Sequence, residues 1–139
     1  MRRYPFSPVG AGDVGFQVAA DILIAIVDDD RSLRTSLVRL VHSMGYIARG
    51  FASAEEFIES DALDQLSCLI TDIQMPGMSG IELMKIVVAR YANLPVIMVT
   101  ARSEPSLEES AIANGALFFL RKPIDTNLLV ESLTRALEN

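Results

Sequence analysis

Four short stretches of this chain carry the residue types that hold cations and phosphate: Asp28-Asp29-Asp30, Asp72, Thr100 and Lys122. Each follows a brief apolar run, respectively Ile22–Val27, Cys68–Thr71, Pro95–Val99 and Leu117–Arg121. If the stretches meet, Asp28, Asp29 and Asp72 repel one another, and burying such charges uncompensated costs on the order of several kcal/mol or drives their pKa values upward. Positive charge must therefore be present. Lys122 supplies one charge, and an all-oxygen cluster with room for water is also what Mg²⁺ prefers, through one or two carboxylates plus phosphate oxygens. Phosphoryl transfer asks little of a protein beyond placing an acceptor in line and neutralising charge on the transferred oxygens. A carboxylate acceptor, a divalent ion, a lysine and a hydroxyl meet that need.

The elements that must position these groups are legible in the alternation of short apolar runs with longer amphipathic stretches from Asp21 onward. This is the pattern of strands that cross over through helices into a parallel sheet. Five strands are predicted, at Ile22–Val27, Tyr46–Phe51, Cys68–Thr71, Pro95–Val99 and Leu117–Arg121. The first and fourth are apolar at nearly every position, as in strands covered on both faces, and are predicted to be central. Ser53-Ala54-Glu55-Glu56 and Ser79-Gly80-Ile81-Glu82 both match the capping box that opens a helix. Leu33, Leu37, Leu40 and Val41 make one face of the first helix, and Leu128, Leu129, Leu133 and Leu137 one face of the last. The fourth helix, roughly Pro105–Asn114, has only the thin stripe Leu107, Ala111 and Ile112 among Glu104, Glu108 and Glu109, so it is predicted to be the least firmly held. In an open parallel sheet the carboxyl ends of the strands converge on a crevice where the strand order reverses. All four polar stretches stand at such ends.

With 139 residues the chain supports one domain with a real core. A composition of 50% hydrophobic and 22% charged residues is that of a globular protein. The net charge of -6, with lysines and arginines scattered, argues against nucleic acid as a partner. No apolar stretch approaches the roughly 20 residues of a membrane-spanning helix. Cys68 is the single cysteine and lies in the apolar run Cys68-Leu69-Ile70, so it reads as a core residue, and the expected compartment is the cytoplasm. Residues 1–20, with Arg2, Arg3, Pro5, Pro8 and three glycines, lack the apolar segment of a signal peptide and are expected to be a flexible leader to a domain spanning 21–139.

Taken together, Ile26-Val27-Asp28-Asp29-Asp30, the stretch from Thr71 through Asp72, Met75-Pro76-Gly77 and Ser79-Gly80, Val99-Thr100-Ala101, Gly115-Ala116 and Lys122-Pro123 resemble the receiver domain of bacterial two-component response regulators. The resemblance runs from about Leu23 to Leu137. It implies a CheY-like, flavodoxin-like α/β fold: a doubly wound five-stranded parallel sheet of order 2-1-3-4-5 flanked by five helices. It further implies that Asp72 is the phosphoacceptor, attacking the phosphohistidine of a sensor histidine kinase or phosphotransfer protein. Asp29 would then ligate Mg²⁺ directly and Asp28 mainly through water, with the backbone carbonyl of Gln74 completing the protein ligands. Thr100 would hydrogen-bond the phosphoryl group, Lys122 would pair with it, and Phe119 would be the aromatic switch residue. Relatives often carry tyrosine at that position, so a hydroxyl is missing here. The implied output face is the fourth helix, fifth strand and fifth helix, through which partners bind or the chain dimerises. Gln74 and Arg102 would flank the path of water to the acyl phosphate, Arg102 either shielding it or lying in solvent. A cis bond between Lys122 and Pro123 is also implied. Such a domain is a signalling element and not an enzyme, beyond promoting its own phosphorylation and dephosphorylation.

Each residue also has an ordinary reading. Asp30 suits the N-cap of the first helix, Phe119 suits plain core packing, and His42 a helix surface. Met75 and Met78 suit packing better than a hard-metal site. Gly10-Ala11-Gly12-Asp13-Val14-Gly15 matches a dinucleotide-binding pattern but follows no strand, so it is read as chance. Asp28 and Asp30, one residue apart after a strand, also resemble the nucleophile motif of haloacid dehalogenase phosphatases, which would make Asp28 the acceptor. A receiver-like module that only binds partners is the remaining alternative.

Overall fold

The structure is a computed structural model and describes residues 21–138. The expected leader over residues 1–20 and the glycine pattern within it lie outside the described residues. Five strands, β1 (Leu23–Val27), β2 (Ile47–Phe51), β3 (Cys68–Asp72), β4 (Val96–Thr100) and β5 (Phe118–Arg121), alternate with five α-helices. The helices are α1 (Arg31–Ser43), α2 (Ala54–Glu59), α3 (Gly80–Arg90), α4 (Pro105–Ala113) and α5 (Thr126–Glu138). The strands form one sheet in the order β2-β1-β3-β4-β5, and every neighbouring pair is parallel.

The sheet follows from the strand sequences. β1, β3 and β4 are buried at every position, because helices cover both of their faces. Their side chains alternate between two cores. Ala25, Val27, Leu69 and Met98 pack with Phe57 of α2, Leu83 and Val87 of α3 and Ala111 of α4. Ile24, Ile26, Ile70 and Ile97 pack on the other face with Leu37 and Val41 of α1 and Leu129 and Leu133 of α5. Each such fully buried aliphatic side chain stabilises the fold by about 1.5–3 kcal/mol relative to exposure. β2, whose only fully buried residue is Phe51, forms an edge.

The helix ends are chemically specified. Asp30 caps α1, its carboxylate accepting from Leu33 N at 3.2 Å. Ser79 and Glu82 form the full reciprocal box at the start of α3. At α2 the box is shifted: Ser53 accepts from Glu56 N, but the Glu56 carboxylate reaches Ala52 N. A single 3₁₀ turn at Leu63–Gln65, which no spacing signalled, tucks Leu63 and Leu66 into the core before β3.

Two helix faces differ from expectation. Leu128 is 47% exposed, since the buried stripe of α5 runs through Leu129, Ser132, Leu133, Ala136 and Leu137 and leaves Leu128 about a quarter turn away. Ile112 is likewise 48% exposed on α4, where Leu107 and Ala111 alone turn inward. Strands β3 and β4 also extend one residue further than predicted. Asp72 and Thr100 are thus the last residues of their strands, and both are buried.

Candidate functional site

β1 lies between β2 and β3, so the chain leaves it first to one side and then to the other, and the carboxyl ends of β1 and β3 open onto the resulting crevice. Asp28 enters this crevice just after β1 and is clamped on every side. Its amide donates to Phe51 O at 3.0 Å, and its carbonyl accepts from Arg34 Nη1 at 2.7 Å. Of its carboxylate oxygens, one accepts from Asp30 N at 2.9 Å and the other lies 3.0 Å from Lys122 Nζ. The side chain is 2% exposed. Asp29, next to it, is exposed at the rim.

Asp72 ends β3 almost fully buried. One carboxylate oxygen stands 3.3 Å from Lys122 Nζ, and the other accepts a long bond of 3.4 Å from Gln74 N. Asp28, Asp29 and Asp72 each offer a carboxylate oxygen within 4.8 Å of the others. Lys122 stands just past β5, where its amide donates to Thr100 O at 2.8 Å and prolongs the β4–β5 ladder by one bond; its peptide bond to Pro123 is cis, as expected. Thr100 is wholly buried, and its hydroxyl oxygen accepts from Arg102 N at 3.0 Å.

Lys122 pairs with two of the three carboxylates, Asp28 and Asp72. Burial first, and the Asp28 charge second, hold the Asp72 carboxyl above its ordinary value against the opposing pull of Lys122. Burial pulls the Lys122 ammonium down, but its hydrogen bond to Asp28 and the charges of Asp72 and Asp28 outweigh this and hold it above its ordinary value. Both directions mean that the site favours taking up positive charge. The donors in the cluster are oxygens only, which suits a hard divalent cation such as Mg²⁺ and not a thiophilic metal.

Of the residues singled out from sequence, Asp28, Asp29, Asp72 and Lys122 come together. Thr100 stands on the strand paired with β3, and Gln74 lies two residues past Asp72. Phe119 is half-buried against the core on the α3 side, with the Arg121 guanidinium 5.2 Å from its ring centre. Asp30 is spent on capping, His42 is exposed, Met75 is buried in the core and Met78 packs against it. Arg102 turns outward and pairs with Glu104.

Four residues of the site have contacts there that the sequence did not signal. Arg34 holds the Asp28 carbonyl from inside α1. Glu55, at the start of α2, accepts from Met78 N in the β3–α3 loop at 2.9 Å. Arg121 donates to Arg102 O at 2.7 Å. Gly80 lets α3 begin against the end of β3, because a Cβ there would stand 2.0 Å from Asp72 O. The contacts of Glu55 and Arg121 join residues 23 and 19 apart in sequence, which no periodicity can reveal.

The response regulator receiver domain model matches residues 24–134. The chain is 36% identical over 115 residues to the C4-dicarboxylate transport transcriptional regulatory protein DctD of Rhizobium meliloti, covering 83% of this chain and 25% of that protein. It is 34% identical over 114 residues to the transcriptional regulatory protein FixJ of Azorhizobium caulinodans, covering 82% of this chain and 54% of that one. The chain thus spans between a quarter and about half of the length of these relatives. Among solved structures, a response regulator of Chloroflexus aurantiacus superposes with a TM-score of 0.78 at 30% identity, covering 85% of this chain and 98% of that one. A CheY-like receiver domain protein of Methanospirillum hungatei gives 0.78 at 25% identity, covering 84% and 94%. The fold, the acidic crevice and a family match over most of the described residues agree, and the chain belongs to the response regulator receiver domain family.

Proposed function

We propose that this receiver domain works by accepting a phosphoryl group on Asp72, delivered by a sensor histidine kinase or phosphotransfer protein. A carboxylate oxygen of Asp72 forms the new bond to phosphorus as the bond from phosphorus to the donor's histidine nitrogen breaks. The nitrogen keeps the electron pair, and an acyl phosphate remains on Asp72. The observation that supports this most is the gathering of Asp28, Asp29 and Asp72 within 4.8 Å, with Lys122 bridging Asp28 and Asp72.

In this reading Asp29, Asp72 and the Gln74 carbonyl would hold Mg²⁺, with Asp28 contributing mainly through water. The ion, when bound, neutralises charge on the phosphoryl oxygens. Lys122 leaves Asp72 for the phosphoryl group while keeping Asp28, and the Thr100 hydroxyl donates to a phosphoryl oxygen. Phe119 then turns inward, and the face made of α4, β5 and α5 changes shape for a partner or a second copy of the chain. Arg102, paired with Glu104, is taken to lie in solvent and not to shield the phosphoryl group. No helix among the described residues is long and apolar enough to cross a membrane, and we place the domain in the cytoplasm with its kinase's catalytic end.

The test is labelling by a small phosphodonor. Acetyl phosphate with Mg²⁺ is expected to add one phosphoryl group at Asp72, and Asp72→Asn to abolish it. Labelling at Asp28 instead would overturn the reading in favour of the phosphatase-like alternative. Failure of Mg²⁺ and beryllofluoride to perturb the wild-type domain would favour a module that only binds partners.

A further inference from the structure

Thr100 and Arg121 are register partners across β4 and β5, one step apart from the pair that brings Lys122 into the crevice. The Arg121 side chain leaves the sheet and makes three contacts. Nη1 donates to the Arg102 carbonyl at 2.7 Å, Nη2 lies 3.6 Å from the Glu108 carboxylate on α4, and the guanidinium carbon stands 5.2 Å from the centre of the Phe119 ring. Arg102 is consequently gripped at both ends, since its own amide donates to the Thr100 hydroxyl oxygen at 3.0 Å. The planar guanidinium can serve several partners at once because its five donors form a rigid fork that also stacks on aromatic faces.

We infer that Arg121 is a positioning residue of the phosphoryl-transfer site and that it works against the reaction, by holding Thr100, the β4–α4 loop, α4 and Phe119 in the arrangement that precedes phosphorylation. The inference rests on the reading above, in which Thr100 moves toward the phosphoryl group and Phe119 turns inward. A hydroxyl drawn toward Asp72 either breaks its bond from the Arg102 amide or carries Arg102 with it. The first releases one side of the loop, and the second stretches the bond from Arg121 to the Arg102 carbonyl. A ring that turns inward leaves the guanidinium, and a shift of α4 lengthens the contact to Glu108. The contacts of Arg121 to Phe119 and Glu108 are thus weakened in the second arrangement, and the bond to the Arg102 carbonyl with them where the loop follows Thr100, which is the condition for a side chain to bias an equilibrium. Each is exposed and individually weak. Acting on one guanidinium they set what fraction of the chain is ready for the phosphoryl group, and apparent affinity scales with that fraction.

The test uses beryllofluoride with Mg²⁺ as the probe, titrated into the wild type, Arg121→Ala, Arg121→Lys and Glu108→Gln by calorimetry, with thermal melting of each in its absence. Arg121→Ala is expected to bind beryllofluoride about 3–10-fold more tightly than the wild type, with Glu108→Gln shifting the same way by less. Arg121→Lys, which keeps the charge but not the fork, is expected to fall between wild type and alanine. The initial rate of phosphorylation by acetyl phosphate is expected to rise through KM more than through kcat. A residue that only props up the fold cannot tighten ligand binding when removed, so equal or weaker binding by Arg121→Ala overturns the inference. Should that variant fail to fold, unchanged or weaker binding by Glu108→Gln does the same. If the wild type itself fails to bind beryllofluoride, the phosphoacceptor reading falls, whereas wild-type binding with an unresponsive Arg121→Ala removes only the role given to Arg121.

Discussion

Lys122 lies between Asp28 and Asp72, but its ammonium is closer to Asp28, at 3.0 Å against 3.3 Å. Asp28 is also the more deeply buried of the two, and among the described residues its carboxylate has one other bond, from Asp30 N. Lys122 is therefore a structural counter-ion of Asp28 as well as a group that faces Asp72. Lys122→Ala strands a buried carboxylate, a change that is costly because the charge keeps its desolvation penalty and loses its partner. The expected loss is about 2 kcal/mol, below the usual range for fully buried pairs because the lysine keeps some solvent contact. Millimolar Mg²⁺ is expected to restore part of it. Urea unfolding with and without the ion checks both statements, and a fully stable variant that ignores Mg²⁺ would count against a charge-loaded crevice.

Asp72→Asn is expected to stabilise the unphosphorylated domain at neutral pH, on the order of 1 kcal/mol or a few degrees in Tm. Asp72 is held above its ordinary value of 3.8 by burial and by Asp28. A carboxyl raised in this way binds its proton more tightly in the folded chain than in the unfolded one. Its contribution to stability is complete below 3.8 and is lost as the pH climbs through the folded value. The gain from Asn is thus greatest near pH 7 and shrinks as the pH falls toward that ordinary carboxylate value. Melting curves across this range decide the matter, and a gain that grows with acidity refutes the sign.

Gly80→Ala tests how tightly α3 is seated. The added Cβ would meet the Asp72 carbonyl oxygen at 2.0 Å and the Ile73 Cα at 3.0 Å, both backbone atoms that cannot swing aside. The start of α3 or the end of β3 must move. A cost of about 2–4 kcal/mol is expected, of the kind seen for overpacked interiors, together with weakened beryllofluoride binding in whatever fraction folds. Near-wild-type unfolding and binding would mean that the contact relaxes without touching Asp72.

How far the sequence alone reaches is clear from these residues. Asp28, Asp72, Thr100 and Lys122 were legible because each closes an apolar run, and strand ends of a parallel sheet share one edge whatever lies between them. Ser79 with Glu82 and Asp30 were legible because capping is local chemistry. Leu128 was misplaced because a leucine one step off the stripe looks apolar in any window, while Ser132, which does face the core, does not. The roles of Arg34, Arg121 and Glu55 are set by where a long side chain ends after the fold has formed. Nothing in their local sequence carries that information.

Glu55 supplies the remaining prediction. The β3–α3 loop carries Gln74, whose carbonyl is the proposed third protein ligand of Mg²⁺, and the loop turns at Gly77, where a φ of +79° favours glycine. Just beyond the turn, Met78 N donates to Glu55 Oε2 at 2.9 Å, a bond from the loop to a different element. Losing this tie leaves the Gln74 carbonyl less well ordered before the ion arrives, so the ordering must be supplied by binding itself. Glu55→Ala is expected to weaken Mg²⁺ affinity about 2–5-fold, since a single exposed hydrogen bond contributes on the order of 1 kcal/mol or less. Glu55→Gln keeps an acceptor oxygen but removes the charge. If the tie acts by hydrogen bonding, the glutamine variant binds Mg²⁺ as the wild type does. If Glu55 acts through its charge, glutamine and alanine weaken binding equally. Calorimetric Mg²⁺ titrations of the three proteins, with amide exchange at Met78 to report whether the bond is made, separate the two cases.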